Sequence, residues 1–129
     1  MKKYFLILII CLCTYSCAKR DNCNNSVSLA GKYENIYDKE AKNILIIKKD
    51  GTFEQVFTKG KIVKKNRGTY RFFNYDCTLY LDGLKILHNI PSQYLEFKVE
   101  DKFPAKFRNN NIVFVEDLPY EFDYYRIDE

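Results

Sequence analysis

The chain contains no tryptophan, one histidine, one methionine, three prolines and five glycines. The single histidine, His88, has no recognisable nucleophile motif beside it, since Gly-x-Ser-x-Gly does not occur, and it reads as a strand-end residue near the Pro91 corner. The glycines are scattered, mostly at turns, so no glycine-rich loop is present to cradle a phosphate. The alternating oxygen ligands of a calcium loop are missing as well. Five cysteines contain no C-x-x-C pair, which argues against a zinc site, and no cofactor or metal is expected. No apolar run is long enough for a membrane helix: Tyr4–Cys13 is about half of the roughly 20 residues required.

What is present at the N-terminus is a graded segment. "MKK" supplies two positive charges, "YFLILIICLC" an apolar stretch, and "TYSC" small polar residues before a cysteine, the layout of a secretory signal. Tyr15 fits an ordinary signal-peptidase site poorly. The segment instead resembles a bacterial lipoprotein processing box, in which cleavage falls just before a lipid-modified cysteine. That resemblance implies a signal peptide over 1–16 and Cys17 as the lipidation site, with Cys11 and Cys13 removed as apolar filler. The polar stretch "AKRDNCNNSVS" (18–28) then reads as spacer, so 17–28 is expected to be a flexible tether. An exported compartment permits a disulfide between the two remaining cysteines, Cys23 and Cys77. The alternative is that Cys23 stays in the tether and never meets Cys77.

Residues 29–129 are long enough for one domain. Aromatic residues make up 16% of the chain, all Tyr or Phe, and together with Ile and Val they favour pleated, half-buried surfaces. Alanine, the best helix former, is nearly missing from this region. Net charge is +4, or +4 − 2 = +2 once Lys2 and Lys3 leave, too little for a nucleic-acid binder. Charge is segregated: Lys32–Arg71 carries 11 basic and 5 acidic residues, Ile112–Glu129 one basic and 6 acidic. Pairing of first and last strands would bring these stretches together. The basic run Lys59, Lys61, Lys64, Lys65, Arg67 reads as a solvated hairpin that discourages edge-to-edge association, with anionic headgroups as the alternative partner.

Along the chain, "GKYENIY" (31–37) alternates. "NILIIKKDGTFEQVF" (43–57) is a strand, an Asp50-Gly51 turn and a second strand, the strongest hairpin signal present. A turn follows at 59–61 or at 64–68, then "GTYRFFN" (68–74) and "CTLYLDG" (77–83), with Cys77, Leu79 and Leu81 on one face. "QYLEFKVED" (93–101), "AKFR" after Pro104, "IVFVED" (112–117) and "YEFDYYRI" (120–127) complete about eight short strands without an amphipathic helix. That rhythm predicts an all-β antiparallel barrel or sandwich.

Gly31-x-Tyr33, the "DGTF" hairpin, "GTYRF" and the Tyr-rich terminal strand together resemble the small lipocalin-like lipoproteins of bacteria, with Tyr33 where lipocalins carry Trp. The resemblance implies an up-and-down β-barrel with an interior able to hold a ligand. In such a barrel Tyr33, Tyr70, Tyr80 and Tyr124 are the candidate ligand contacts, each an apolar body with a polar tip. The expected function is a non-enzymatic, lipid-anchored binding module of the cell envelope, facing the periplasm, for a small apolar ligand or an envelope protein. An inhibitor or immunity-type lipoprotein that blocks a toxin or lytic enzyme is the alternative. A hydrolase built on a pair of carboxylates, with Glu96, Glu116 and Asp117 as the residues to test, is the weaker third reading, because Glu116-Asp117 and Glu100-Asp101 sit at predicted strand ends where solvated turns are usual.

Overall fold

The computed structural model describes residues 23–87, 103–114 and 122–128. Eight strands form one antiparallel sheet: β1 (Gly31–Asn35), β2 (Lys42–Ile47), β3 (Thr52–Lys59), β4 (Ile62–Phe73), β5 (Thr78–Asp82), β6 (Phe103–Arg108), β7 (Asn111–Phe114) and β8 (Tyr125–Arg126). The order is β7-β6-β5-β4-β3-β2-β1-β8, so each strand from β1 to β7 pairs with its sequence neighbour and β8 returns to pair with β1. A bridge between Ile112 and Tyr124 then joins the two ends of the sheet. Of barrel and sandwich, the chain is the barrel.

Local chemistry explains the corners. Asp50 accepts hydrogen bonds from the Thr52 N–H at 3.0 Å and the Thr52 hydroxyl at 2.6 Å, fixing the β2–β3 turn. Asn109 and Asn110 both adopt positive φ, 50° and 63°, the left-handed geometry of a tight two-residue hairpin, and Asn111 opens β7. The turn after β3 falls at Gly60-Lys61. The alternative at 64–68 is overruled because β4 runs without a break through those residues, paired to β3 from Ile62 to Thr69. Asp82-Gly83 ends β5 without making a hairpin, and 84–87 turns inward, burying Leu84 and Leu87. The predicted strand at 93–101 lies outside the described residues.

Period-two burial places one face of β1, β3, β6 and β7 in the core. Along β3, Phe53, Gln55 and Phe57 are buried while Glu54 and Val56 are not. Tyr33, Leu45, Phe53, Leu79, Leu81 and Ile112 are wholly buried. Each contributes about 1.5–3 kcal/mol of apolar burial. Gly68 lies directly across from Phe53, and a Cβ there would stand 2.4 Å from the Phe53 ring and 2.3 Å from the Asp82 carbonyl oxygen. Glycine at 68 is what lets that ring lie flat over the neighbouring strand.

The interior also holds polar side chains, and those around Gln55 are bonded to one another. Gln55 donates to the Lys85 carbonyl at 2.9 Å and accepts from the Lys85 N–H at 3.0 Å, while Asn66 bridges Gln55 at 2.6 Å and the Gly83 carbonyl at 2.7 Å. These bonds pin the inward-turned 84–87 segment to β3 and β4, since buried polar groups left unbonded would cost several kcal/mol.

Closure between β7 and β8 is short and assisted by side chains. Ile112 and Tyr124 exchange two backbone hydrogen bonds of 2.9 Å. On either side, the Asp123 carboxylate accepts from the Phe114 N–H at 3.0 Å and the Asn111 side chain accepts from the Arg126 N–H at 3.0 Å. The first and last strands do pair, β1 with β8, while Glu116, Asp117, Glu121 and Glu129 of the acidic stretch lie outside the described residues. Among the described residues the ion pairs are local, Lys48–Glu54–Arg67, Lys59 with Asp38 and Glu40, Lys106–Asp76 and Arg126–Asp128, with none across the β1–β8 seam.

Burial raises the Asp123 pKa above its ordinary value of 3.8, against the pull of the Phe114 N–H. A raised folded value means that its contribution to stability is full below 3.8 and is lost as pH rises through the folded value. Asp123→Asn keeps an acceptor oxygen and removes that loss, so urea unfolding at neutral pH is expected to stay within about 1 kcal/mol of the parent. Asp123→Ala removes the acceptor and is expected to cost about 1–3 kcal/mol.

Candidate functional site

One end of the barrel is covered by the segment from Cys23 to Ala30. Cys23 and Cys77 are joined as a disulfide with Cα atoms 6.0 Å apart, closing a loop of 54 residues. In the chain-entropy account such a closure stabilises by about 4 kcal/mol. Asn25 donates to the Phe107 carbonyl at 2.8 Å and accepts from the Asn110 N–H at 2.8 Å. Ser26 exchanges two bonds with the Asn110 side chain, at 2.9 and 2.8 Å. Residues 23–28, expected to be the end of a flexible tether, are thus seated on the β6–β7 hairpin.

Arg126 locks the same end from the other side. Its guanidinium donates to the Ser28 carbonyl at 2.6 Å, the Ala30 carbonyl at 3.0 Å and the Tyr33 hydroxyl at 3.1 Å, and it stacks 5.4 Å from the centre of the Tyr33 ring. Its Nε is 3.1 Å from the Asp128 carboxylate. Tyr33 in turn donates to the Leu29 carbonyl at 2.5 Å. Gly31 makes room for this arrangement, for a Cβ there would lie 2.4 Å from the guanidinium.

Between the seated segment and the barrel wall lies an open groove of about 550 Å³. Its walls are mainly apolar, with Val27 and Leu29 from the N-terminal segment, Tyr70 and Phe72 from β4 and Phe107 from β6, and exposed Lys49 contributes a cation. The volume lies in the range of small-molecule sites, which are concave, largely apolar and carry a few polar groups. Tyr70 is tied down by a 2.5 Å hydrogen bond from its hydroxyl to the Lys48 carbonyl, so its ring is a fixed wall. Burial, with Asp50 nearby, raises the Tyr70 pKa.

The four candidate tyrosines do not share a wall. Tyr70 lines the groove. Tyr33 is in the core beneath it, in edge contact with Phe107 at 6.4 Å. Tyr124 is buried toward the Gln55 cluster, with its hydroxyl 3.4 Å from both Gln55 and Asn43. Tyr80 packs outside the barrel against Phe73 at 5.8 Å, with the Arg71 guanidinium 5.6 Å from its ring centre. Cys17, His88, Glu96, Glu116 and Asp117 lie outside the described residues. No group of three metal-binding side chains occurs among the described residues. Sequence reasoning missed Phe72, Phe107, Val27 and Leu29 as groove residues. Alternation in "AKFR" places Phe107 on the face of Ala105, but no signal in the spacer marked Val27. Arg126 was legible only as the one basic residue of an acidic terminus.

Comparisons of the chain with protein-family models, with curated proteins and with solved structures find no match.

Arg126→Ala removes several charge-assisted bonds and the ring contact and is expected to lower unfolding stability by about 3 kcal/mol. Arg126→Lys is expected to recover less than half, because an ammonium does not reproduce the planar fork. Both are read by urea titration. Burial pushes the phenols of Tyr33 and Tyr124 from 10.0 to about 12. Their stabilising contribution is therefore complete below pH 10.0 and lost as pH rises through about 12. Phenolate absorbance is expected to show two tyrosines ionising together with alkaline unfolding, and Tyr124→Phe to remove one of them.

Proposed function

We propose that this chain is a lipid-anchored lipoprotein of the bacterial envelope, lipocalin-like in kind, whose barrel is a non-enzymatic binding module for a small apolar ligand. The anchor rests on the charged, apolar and Cys17-terminated N-terminal segment. The observation that carries the binding role is the apolar groove under the N-terminal segment. The described barrel interior is filled by packed side chains such as Phe53 and Leu81, so the groove offers the concave apolar volume that the interior does not.

The groove suits an apolar body with few polar atoms. Phe72, Phe107 and Leu29 offer dispersion contacts and remove apolar area from water, while the Tyr70 hydroxyl is already engaged. Lys49 favours a ligand with an acidic or strongly polar end. Binding would proceed by displacement of water from a largely preformed site, because the disulfide and the Asn25–Asn110 bonds hold the lid-side wall in place.

A second reading, an inhibitor of another envelope protein, is favoured by one observation. The tip of the β3–β4 hairpin displays Ile62 and Val63, each 56% exposed, among lysines. Two adjacent exposed aliphatics at a hairpin tip give a partner a small apolar contact ringed by charge.

Titration of the purified chain with the apolar fluorescent probe N-phenyl-1-naphthylamine tests the first reading. Saturable binding that weakens at least tenfold in Val27→Glu, which sets a charge in the groove wall at an exposed position, is the expected outcome. Probe binding that never saturates, or is unchanged in Val27→Glu, removes the small-ligand reading and leaves the protein-docking one.

A further inference from the structure

The disulfide does more than close a loop: it chooses which end of the barrel the N-terminal segment leaves from. Cys77 follows the β4–β5 turn, and the Cys23 sulfur lies 4.0 Å from the Asn74 carbonyl oxygen in that turn. At this end the outer surface is aromatic. Tyr75 is 74% exposed and its ring is 6.0 Å from Phe73, which is 5.8 Å from Tyr80. Val27 adds an exposed aliphatic. Arg71 over Tyr80, Arg108 and Lys49 are exposed cations on the same end, and none of them has an ion-pair partner among the described residues. Tyr rings backed by Arg and Lys are the composition that settles at a bilayer interface, the rings at headgroup depth and the cations toward anionic lipid.

We infer that the β4–β5 end of the barrel, with Tyr75, Phe73 and Tyr80 backed by Arg71, is a membrane-facing surface that lies against the anionic lipid interface with the groove mouth beside it. The inference rests on the anchored reading at Cys17. Distances decide between the two ends. The six steps from Cys17 to Cys23 reach at most about 20 Å when fully extended. The lysine-flanked Ile62–Val63 tip is at the far end of β4, and the 12 residues of that strand separate it from Phe73 by about 36 Å. A chain leashed at Cys23 therefore brings Tyr75 to the surface and holds Ile62 away from it. The groove, lined by Cys23 and Val27, opens at the leashed end, so a ligand entering it from the lipid phase has a short path.

The absence of tryptophan makes the test clean, since any tryptophan introduced is the only one. Tyr75→Trp and Val63→Trp both replace exposed side chains. Each full chain, extracted from membranes in its processed form, is reconstituted on vesicles of phosphatidylcholine with phosphatidylglycerol carrying brominated acyl chains. Flotation with the vesicles reports the anchor, and tryptophan emission reports the face. The expected result is flotation of both, a blue shift and at least twofold quenching for Tyr75→Trp, and unchanged emission for Val63→Trp. Flotation with Val63→Trp quenched and Tyr75→Trp unchanged overturns the orientation, as does quenching of both, which lays the barrel on its β4 side. Flotation with neither quenched overturns the lipid contact and leaves the anchor standing. Failure to float overturns the anchor and the orientation with it.

Discussion

The barrel depends on one guanidinium. Arg126 sits where the segment 28–30, the last strand and the first strand meet, and its donors reach Ser28, Ala30 and Tyr33 at once. Without it the Ser28 and Ala30 carbonyls of the seated segment and the Tyr33 hydroxyl oxygen of β1 would lose a donor at one closed end. The geometry is demanding because β8 has only two residues, too few to hold the sheet edge by a backbone ladder. Side chains do what the missing ladder does not: Arg126 on the β1 side, and Asp123 and Asn111 on the β7 side. Gly31 is part of the same constraint, since the guanidinium occupies the space a side chain there would need.

Closing that end organises the other features. With residues 23–30 fixed by the disulfide, the Asn25 and Ser26 bonds and Arg126, a wall stands opposite Tyr70, Phe72 and Phe107, and the space between becomes a groove. The rest of the described interior is filled, by aromatic rings at one level and by the bonded Gln55, Asn66, Asn43 and Tyr124 cluster at another. The concavity is consequently peripheral and built from the segment that the sequence presents as spacer. The groove wall and the disulfide thereby belong to a single piece of chain.

Charge follows a local logic. The basic stretch from Lys32 to Arg71 meets its counterions within itself, as in Lys48–Glu54–Arg67 and Lys59–Asp38, because adjacent antiparallel strands and their turns bring residues of one hairpin together. Among the described residues, Arg71, Arg108 and Lys49 at the β4–β5 end and Lys61, Lys64 and Lys65 at the β3–β4 tip are exposed cations outside these pairs. Surface pairs of this kind add little stability, and their placement matters more for the field the barrel presents than for its fold.

The amino-acid sequence by itself determined the all-β class, the β2–β3 hairpin and the shared face of Leu79 and Leu81 in β5, because period-two alternation and Asp-Gly turns are local and need no partner to be read. It also left legible the possibility of a Cys23–Cys77 link and the Gly31-x-Tyr33 opening. Only the tertiary structure decided that 64–68 continues a strand, that Asp82-Gly83 sends the chain into the core, and that Tyr33, Tyr70, Tyr80 and Tyr124 part company between core, groove and outer face. Each of those outcomes depends on a residue distant in sequence: Gln55 capturing Lys85, Phe53 lying on Gly68, and Arg126 reaching Ser28 across 98 positions. Contacts of that separation leave no periodic trace in the chain, which is why the seated segment read as a tether and the groove it forms could not be read at all.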